Sequence, residues 1–312
     1  QSPFSLSPLL PFSLSSPDAE ETVAGIGIGI WIGIGIGGRV PRYTADMVRQ
    51  RRWFQRPKTI DAFYASDGPT RIIAHRGWSA RYPENTLAAI GAALDLGVNM
   101  VEIDVTVSSD HQVVVIHDET LDRTTNGRGP VSQASFEELR ALDAGSWFAA
   151  VFVGERIPSL AEVLELCRGR SLLNVEIKPE AVSLDAPSLV ADLVTTAGMV
   201  DRVVISSFNP TGLEQLASAR PEIATASLLN PEYHHGQDPA DVVGQVGSRA
   251  LHVGDSELTP EVVESCHAHR IPIAVYTINS LQRLREIRSD VAAIFTDHPD
   301  RMLETTESFP TT

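Results

Sequence analysis

From Arg71 onward, short β-branched apolar runs alternate with helical patterns, and this alternation constrains the fold more than any other feature of the chain. The runs are RIIAHRG (71–77), NMVEIDVTV (99–107), SLLNVEIKP (171–179), RVVISSFN (202–209), IATASLL (223–229), ALHVG (250–254), IPIAVYTIN (271–279) and AAIFTDHP (292–299). Helical patterns at 85–97, 159–169 and 258–269 separate some of them. Asn85, Ser159 and Thr259 are placed as N-caps, Pro260 at a first helical position, and Gly97 and Gly169 at helix stops. Eight such units predict a parallel α/β sheet, which most simply closes into a (β/α)8 TIM barrel. One irregularity follows the second strand: a further β run, QVVVIHD (112–118), and then residues 118–157, which carry no barrel unit. That stretch is expected to be a small insertion folded over one barrel end.

The first 66 residues have a different character. Residues 1–17 are a Ser/Pro/Leu-rich tract whose prolines interrupt any periodicity. Between Glu21 and Arg39 lie 17 uncharged residues, seven of them Gly. A spanning helix needs 18 or more apolar residues, and glycine lowers both hydropathy and helix propensity. GIGIGG (33–38) matches GxGxxG literally, but Arg39-Val40-Pro41 follows where a dinucleotide site needs a helix. Three readings stay open for 23–40: a marginal membrane helix, a Gly/Ile repeat, and a misassigned start. If it spans, the arginines at 39, 42, 49, 51, 52 and 56, with Lys58, place the following chain in the cytoplasm, tethered to the inner membrane face through residues 23–58. The competing reading of that basic run is a solvated linker. A domain boundary is set at 66/67, and residues 1–66 are expected to be dispensable for catalysis, since every motif lies beyond Arg71.

Charge supports a boundary. The whole chain carries −15, residues 1–70 carry +1, and the body therefore carries −16. A field of that sign repels phosphate backbones and argues against nucleic acid as a partner. Cys167 and Cys266 cannot build a disulfide framework, and no CxxC pair offers a structural zinc site.

In such a barrel the chemistry lies at the C-terminal ends of the strands. His75 and Arg76 end the first run, His117 the extra one, Glu176 and Lys178 the third, Phe208 the fourth, Tyr276 and Asn279 the seventh, and Asp297 the eighth. Glu102 and Asp104 are two apart on the second strand, so both side chains point to one face. Burying Glu102, Asp104 and Glu176 together costs many kcal/mol unless a cation neutralises them. An all-oxygen donor set favours one hard divalent cation, Mg²⁺ or Ca²⁺. The competing reading of each carboxylate alone is an ion pair, such as Glu176 with Lys178. His75 and His117 supply an acid and a base, and Arg76 and Lys178 can grip a phosphate. Metal, cations and two acid/base groups suit phosphoryl transfer. Cys266, His267 and His269 are declined as a metal cluster because the two histidines point about 200° apart on a helix. His234-His235, in the loop after the fifth strand, is likewise not promoted to the site, and His111 and His252 are without an evident partner.

These residues sit in a longer pattern: HRG, PENT, E-x-D-V, HD and R-T-T-x-G, continued by VEIKP (175–179), SSF (206–208) and TDHPD (296–300). The combination resembles the glycerophosphodiester phosphodiesterase family over about 71–305. The resemblance implies a TIM barrel with a small insertion after the second strand. It also implies hydrolysis of a small-molecule glycerophosphodiester to sn-glycerol 3-phosphate and an alcohol, with a divalent metal, in glycerol and lipid metabolism. By the same resemblance Glu102, Asp104 and Glu176 correspond to the metal ligands, His75 and His117 to the acid/base pair, and Arg76 and Lys178 to phosphate contacts. Phe208 and Tyr276 wall the pocket, Tyr276 standing where the family often has Trp, which bears on substrate preference. Glu84 and Asn85 look like supporting and helix-capping residues. A lysophospholipase-D-like activity on lysophospholipids is the enzymatic alternative, and a non-catalytic phosphate-binding barrel is the alternative of another class.

Overall fold

The computed structural model describes residues 57–306, apart from 66–67, 231–232 and 235. The segment at 23–40 and the arginines up to Arg56 lie outside the described residues. Among the described residues no helix is long and apolar enough to cross a membrane.

Among the described residues nine strands form: β1 (Arg71–Ala74), β2 (Met100–Val107), β3 (Val113–Val115), β4 (Leu172–Ile177), β5 (Val203–Ser207), β6 (Ala224–Leu228), β7 (Ala250–Gly254), β8 (Ile273–Tyr276) and β9 (Ala293–Thr296). Eight of them pair in parallel in the order β1-β2-β4-β5-β6-β7-β8-β9, and β9 returns to β1, which closes the expected TIM barrel. The extra β run is β3, which pairs antiparallel with the outer half of β2, Val105 facing Val115. Strands close into a barrel because each parallel pair leaves two apolar faces, one for the helices outside and one for the packed interior.

The helix Leu87–Leu96 shows how local sequence sets the frame. Its cap is Thr86, whose side chain accepts from the Ala89 N–H, so the expected Asn85 cap is displaced by one residue. Asn85 is drawn away because it binds Asp104 instead. Ser159 and Thr259 cap their helices as expected. Gly97 ends the first of these helices in the left-handed conformation.

Residues after β3 carry two 3-10 turns and the short helix Phe136–Ala141, around their own small core of Ile116, Leu121, Val131, Leu139 and Ile157. The opposite end of the barrel is closed by a helix the sequence reading did not find, Ile60–Tyr64, capped by Thr59. Ile60, Phe63 and Tyr64 are buried in one cluster with Met100, Leu172, Ala250 and Ala293, the first residues of β2, β4, β7 and β9. Tyr64 Oη lies 2.8 Å from His252 Nε2 inside the barrel. The boundary set at 66/67 therefore cuts through packed core. The contact pattern divides the chain at Arg52/Trp53 instead. Sequence placed the helix with the linker because five residues are too few to show a helical period.

Candidate active site

The strand ends bring the expected residues together in one mouth. β2 and β4 run in register so that Asp104 faces Glu176, while Glu102 lies two residues earlier on the same face of β2. One oxygen from each of Glu102, Asp104 and Glu176 lies within 4.8 Å of the others. Glu102 and Asp104 are buried. Glu102 Oε2 accepts the Arg76 N–H (2.8 Å), whereas its Oε1 is buried with no hydrogen-bond partner. Burial, reinforced by the Asp104 charge, pushes the Glu102 carboxyl up. Burial works the same way on Asp104, but Lys178 and Arg76 overcome it and hold that carboxyl well below the usual range. Lys178 Nζ bridges Asp104 Oδ1 (2.7 Å) and Glu176 Oε1 (2.6 Å), so the ion pair weighed as a competing reading does form. It leaves the third carboxylate short of countercharge.

His75 follows β1, and its Nδ1 lies 2.7 Å from Asp297 Oδ1. Asp297 also accepts from Ser79 Oγ (2.9 Å) and Asn279 Nδ2 (2.7 Å). A carboxylate on Nδ1 requires the proton there, so neutral His75 presents an unprotonated Nε2. Burial opposes the charged imidazole, but the Asp297 bond and the Glu102 charge prevail and raise its pKa. His117 is oriented the same way by a bond from Nδ1 to Asp118 Oδ1 (2.6 Å). The Ile116 N–H donates to the Asp104 carbonyl (3.0 Å), which ties the start of this segment to β2.

Arg123 links the two halves. Its guanidinium forks onto Asp118 (2.6 and 2.8 Å) and onto Glu84 (2.8 and 2.8 Å). Glu84 Oε1 in turn accepts from Arg76 (2.8 Å), whose Nε lies 3.2 Å from Asp104 Oδ2. Asn85 Nδ2 donates to Asp104 Oδ2 (2.8 Å). Gly77 permits this turn: at φ +83° a Cβ would stand 2.6 Å from the Ala89 carbonyl carbon. Phe208 and Tyr276 stand at the ends of β5 and β8 with ring centroids 6.3 Å apart and planes at 88°.

The sequence reading did not single out Asp118, Arg123 or the Asp297–His75 contact as parts of the site. All three lie inside the quoted motifs, but only the fold shows what each one touches. His267 and His269 bond to different backbone carbonyls, as their separation on the helix requires. His234 bonds to Asn230, and His252 has Tyr64 as its partner.

The mouth of the closed barrel thus gathers three carboxylates, two histidines each held by a carboxylate, and two cations, groups that can hold a charged, oxygen-rich ligand and move protons. The profile of the Glycerophosphoryl diester phosphodiesterase family matches residues 75–301. A "Glycerophosphodiester phosphodiesterase" of Caldanaerobacter subterraneus subsp. tengcongensis is 37% identical over 240 residues, covering 75% of this chain and 96% of the relative. The crystal structure of a glycerophosphodiester phosphodiesterase from Agrobacterium tumefaciens is 35% identical, with a TM-score of 0.65 over 74% of this chain and 97% of that one. An Oleispira antarctica phosphodiesterase, solved in complex with the product sn-glycerol-3-phosphate, is 29% identical, with a TM-score of 0.70 over 77% and 98%. The chain belongs to the glycerophosphoryl diester phosphodiesterase family and is a phosphodiester hydrolase.

Proposed function

We infer that the protein hydrolyses glycerophosphodiesters to sn-glycerol 3-phosphate and an alcohol, with a divalent cation and two histidines. The observation that carries this reading is the Glu102–Asp104–Glu176 cluster in the same mouth as two histidines that each rest on a carboxylate. The cluster fits a hard ion on its own chemistry: every donor is oxygen, and a buried oxygen of Glu102 has no partner. Glu102, Asp104 and Glu176 would hold the ion, which supplies neutralisation of the phosphate charge when bound. The product complex of the Oleispira relative supports the same product here.

The chain's own groups account for the proton transfers. Arg76 and Lys178 orient the phosphate by charge and hydrogen bonding. One imidazole takes the proton of the glycerol 2-hydroxyl through Nε2. The freed oxygen bonds to phosphorus while the phosphorus–alcohol bond breaks, and the other imidazole protonates the departing alcohol. Water then opens the cyclic phosphate with the roles reversed. An intramolecular nucleophile is entropically favoured.

The test is release of the head-group alcohol from glycerophosphocholine, glycerophosphoethanolamine and a lysophospholipid, with sn-glycerol 3-phosphate as the other product of the first two and lysophosphatidate of the third, with Mg²⁺ or Ca²⁺ and with EDTA. Release that EDTA abolishes is expected. Full activity after metal stripping refutes metal dependence, and no release from any diester refutes the activity. A second reading, head-group release from lysophospholipids, draws on exposed Trp147, Val151 and Val153 of the insertion. Phe152 beside them packs at a tilt against Tyr82, and Tyr82 against Trp78, three residues from His75. Release from the lysophospholipid above that from glycerophosphocholine favours this second reading.

A further inference from the structure

The insertion after β2 carries an apolar tip that the barrel does not cover. Residues 144–154, AGSWFAAVFVG, have no charged side chain. Among the described residues four large apolar side chains are exposed, and three of them are Trp147, Val151 and Val153, the two valines at 81% and 65%. Gathered within seven consecutive residues, they form a patch rather than the scattered single residues of an ordinary surface.

The tip is held from inside. Asp143 at its base accepts from the N–H groups of Gly145 (2.9 Å), Ser146 (2.7 Å) and Gly154 (2.7 Å). Gly145 lets the loop fold back this closely, since a Cβ there would stand 2.0 Å from the Phe152 carbonyl oxygen. The N–H groups of Phe148 and Ala149 donate to the Gly145 carbonyl (3.0 and 3.3 Å), that of Phe152 to Ala149 (2.9 Å) and that of Val153 to Ala150 (3.3 Å). The Trp147 indole N–H donates to the Ala144 carbonyl (2.9 Å).

These donors are therefore engaged before any partner arrives. A stable protein partner is recognised through about 20–30 residues a side and about one hydrogen bond per 100–200 Å². Seven uncharged residues with an occupied indole donor fall short on both counts. Lipid hydrocarbon asks for no hydrogen bond and penalises only charges and unpaired donors. The tip is also continuous with the mouth through Phe152, Tyr82 and Trp78. We propose that Trp147, Val151 and Val153 form an interfacial anchor that docks the protein on a zwitterionic phospholipid surface. The zwitterionic class follows from the net charge of −15, which an anionic surface repels. On the reading that this mouth cleaves a phosphodiester, the anchor brings it to esters held in that surface.

The experiment measures co-sedimentation of the full chain with phosphatidylcholine vesicles, and quenching of its tryptophan emission by vesicles with brominated acyl chains. The unmodified protein should sediment with the vesicles and be quenched. Val151→Asp and Val153→Asp should each lower the partition coefficient about tenfold, as loss of one buried valine side chain implies. Val151→Leu, which adds apolar surface, should bind at least as tightly, and Trp147→Phe should bind but escape the quenching. Both valines are exposed, so melting curves of their variants should match that of the unmodified protein. No sedimentation of the unmodified protein, equal binding by both Asp variants, a loss of binding in the Leu variant, or quenching that persists in Trp147→Phe each overturns the anchor. Self-association that the Asp substitutions abolish, without vesicle binding, assigns the patch to a second copy and overturns it too. Choline release from glycerophosphocholine by the unmodified protein, measured in parallel, distinguishes failure of the anchor from failure of the phosphodiesterase reading.

Discussion

The helix Ile60–Tyr64 makes a quantitative claim that a single substitution can test. Phe63 has no exposed surface at the barrel end opposite the mouth, and its neighbours Ile60 and Tyr64 are 2% and 5% exposed. Phe63→Ala removes an aromatic ring from that packed layer, and such truncations cost about 3–5 kcal/mol because the cavity only partly collapses. In a domain of this size each kcal/mol lowers Tm by about 2–4 °C, so a fall of roughly 6–20 °C is expected from these two rates together. Asp61, on the solvent side of the same helix with 74% of its side chain exposed, is the control. Its replacement by Ala should fall within the ~0.5 kcal/mol of ordinary surface changes. Tyr64→Phe should lie between them, since it leaves the buried Nε2 of His252 unpaired at about 1–3 kcal/mol. The measurements are thermal melts of each variant and kcat at 20 °C, where the folded enzyme should keep its kcat because the strand ends bearing the histidines are untouched. A Phe63→Ala melt indistinguishable from that of Asp61→Ala would refute the packing. Residues 1–66, expected to be dispensable for catalysis, include this helix: a chain shortened to begin at Asp67 should lose stability, while its folded fraction should keep its kcat.

Glu102→Gln and Asp104→Asn should weaken Mg²⁺ or Ca²⁺ binding by calorimetry while circular dichroism stays native, and metal should raise the Tm of the unmodified protein because it binds only the folded state. Unchanged affinity in both variants defeats the assigned ligands. Arg123→Met should lower kcat by about 10²-fold, the low end of what a misplaced acid/base group costs, and Arg123→Lys should not restore it, since an ammonium cannot fork onto Asp118 and Glu84 at once. Wild-type rates in the Lys variant would count against that bracing. His252 is pushed down to about 3 by burial, so the unfolded chain, titrating near 6.5, binds its proton first. The stability this contributes is complete above pH 6.5 and is lost as pH falls toward 3, which denaturant midpoints across that window should show. His252→Gln should flatten the slope, and an unaltered slope removes His252 as its source. With a p-nitrophenyl ester, whose leaving group needs no proton, the Ala variant of the acid histidine should recover and that of the base should not. Equal losses at His75 and His117 would contradict the division of labour.

What the sequence alone determined follows from rules that act along the chain. Strand side chains alternate, so Glu102 and Asp104 had to share a face, and eight apolar runs between helices had to lie parallel. His75, His117, Glu176 and Lys178 were legible for the same reason: polar residues at the ends of apolar strands stand where a barrel opens. Tertiary structure decided everything that depends on a partner distant in sequence. The register that sets Asp104 against Glu176, the Arg123 guanidinium reaching Glu84 across 39 residues, and Tyr64 meeting His252 across 188 leave no periodic trace. Thr86 displaced Asn85 as the cap because a buried carboxylate 19 residues on claimed the amide. Local geometry is written residue by residue, whereas charge balance and packing belong to whatever the closed barrel brings within a few ångströms.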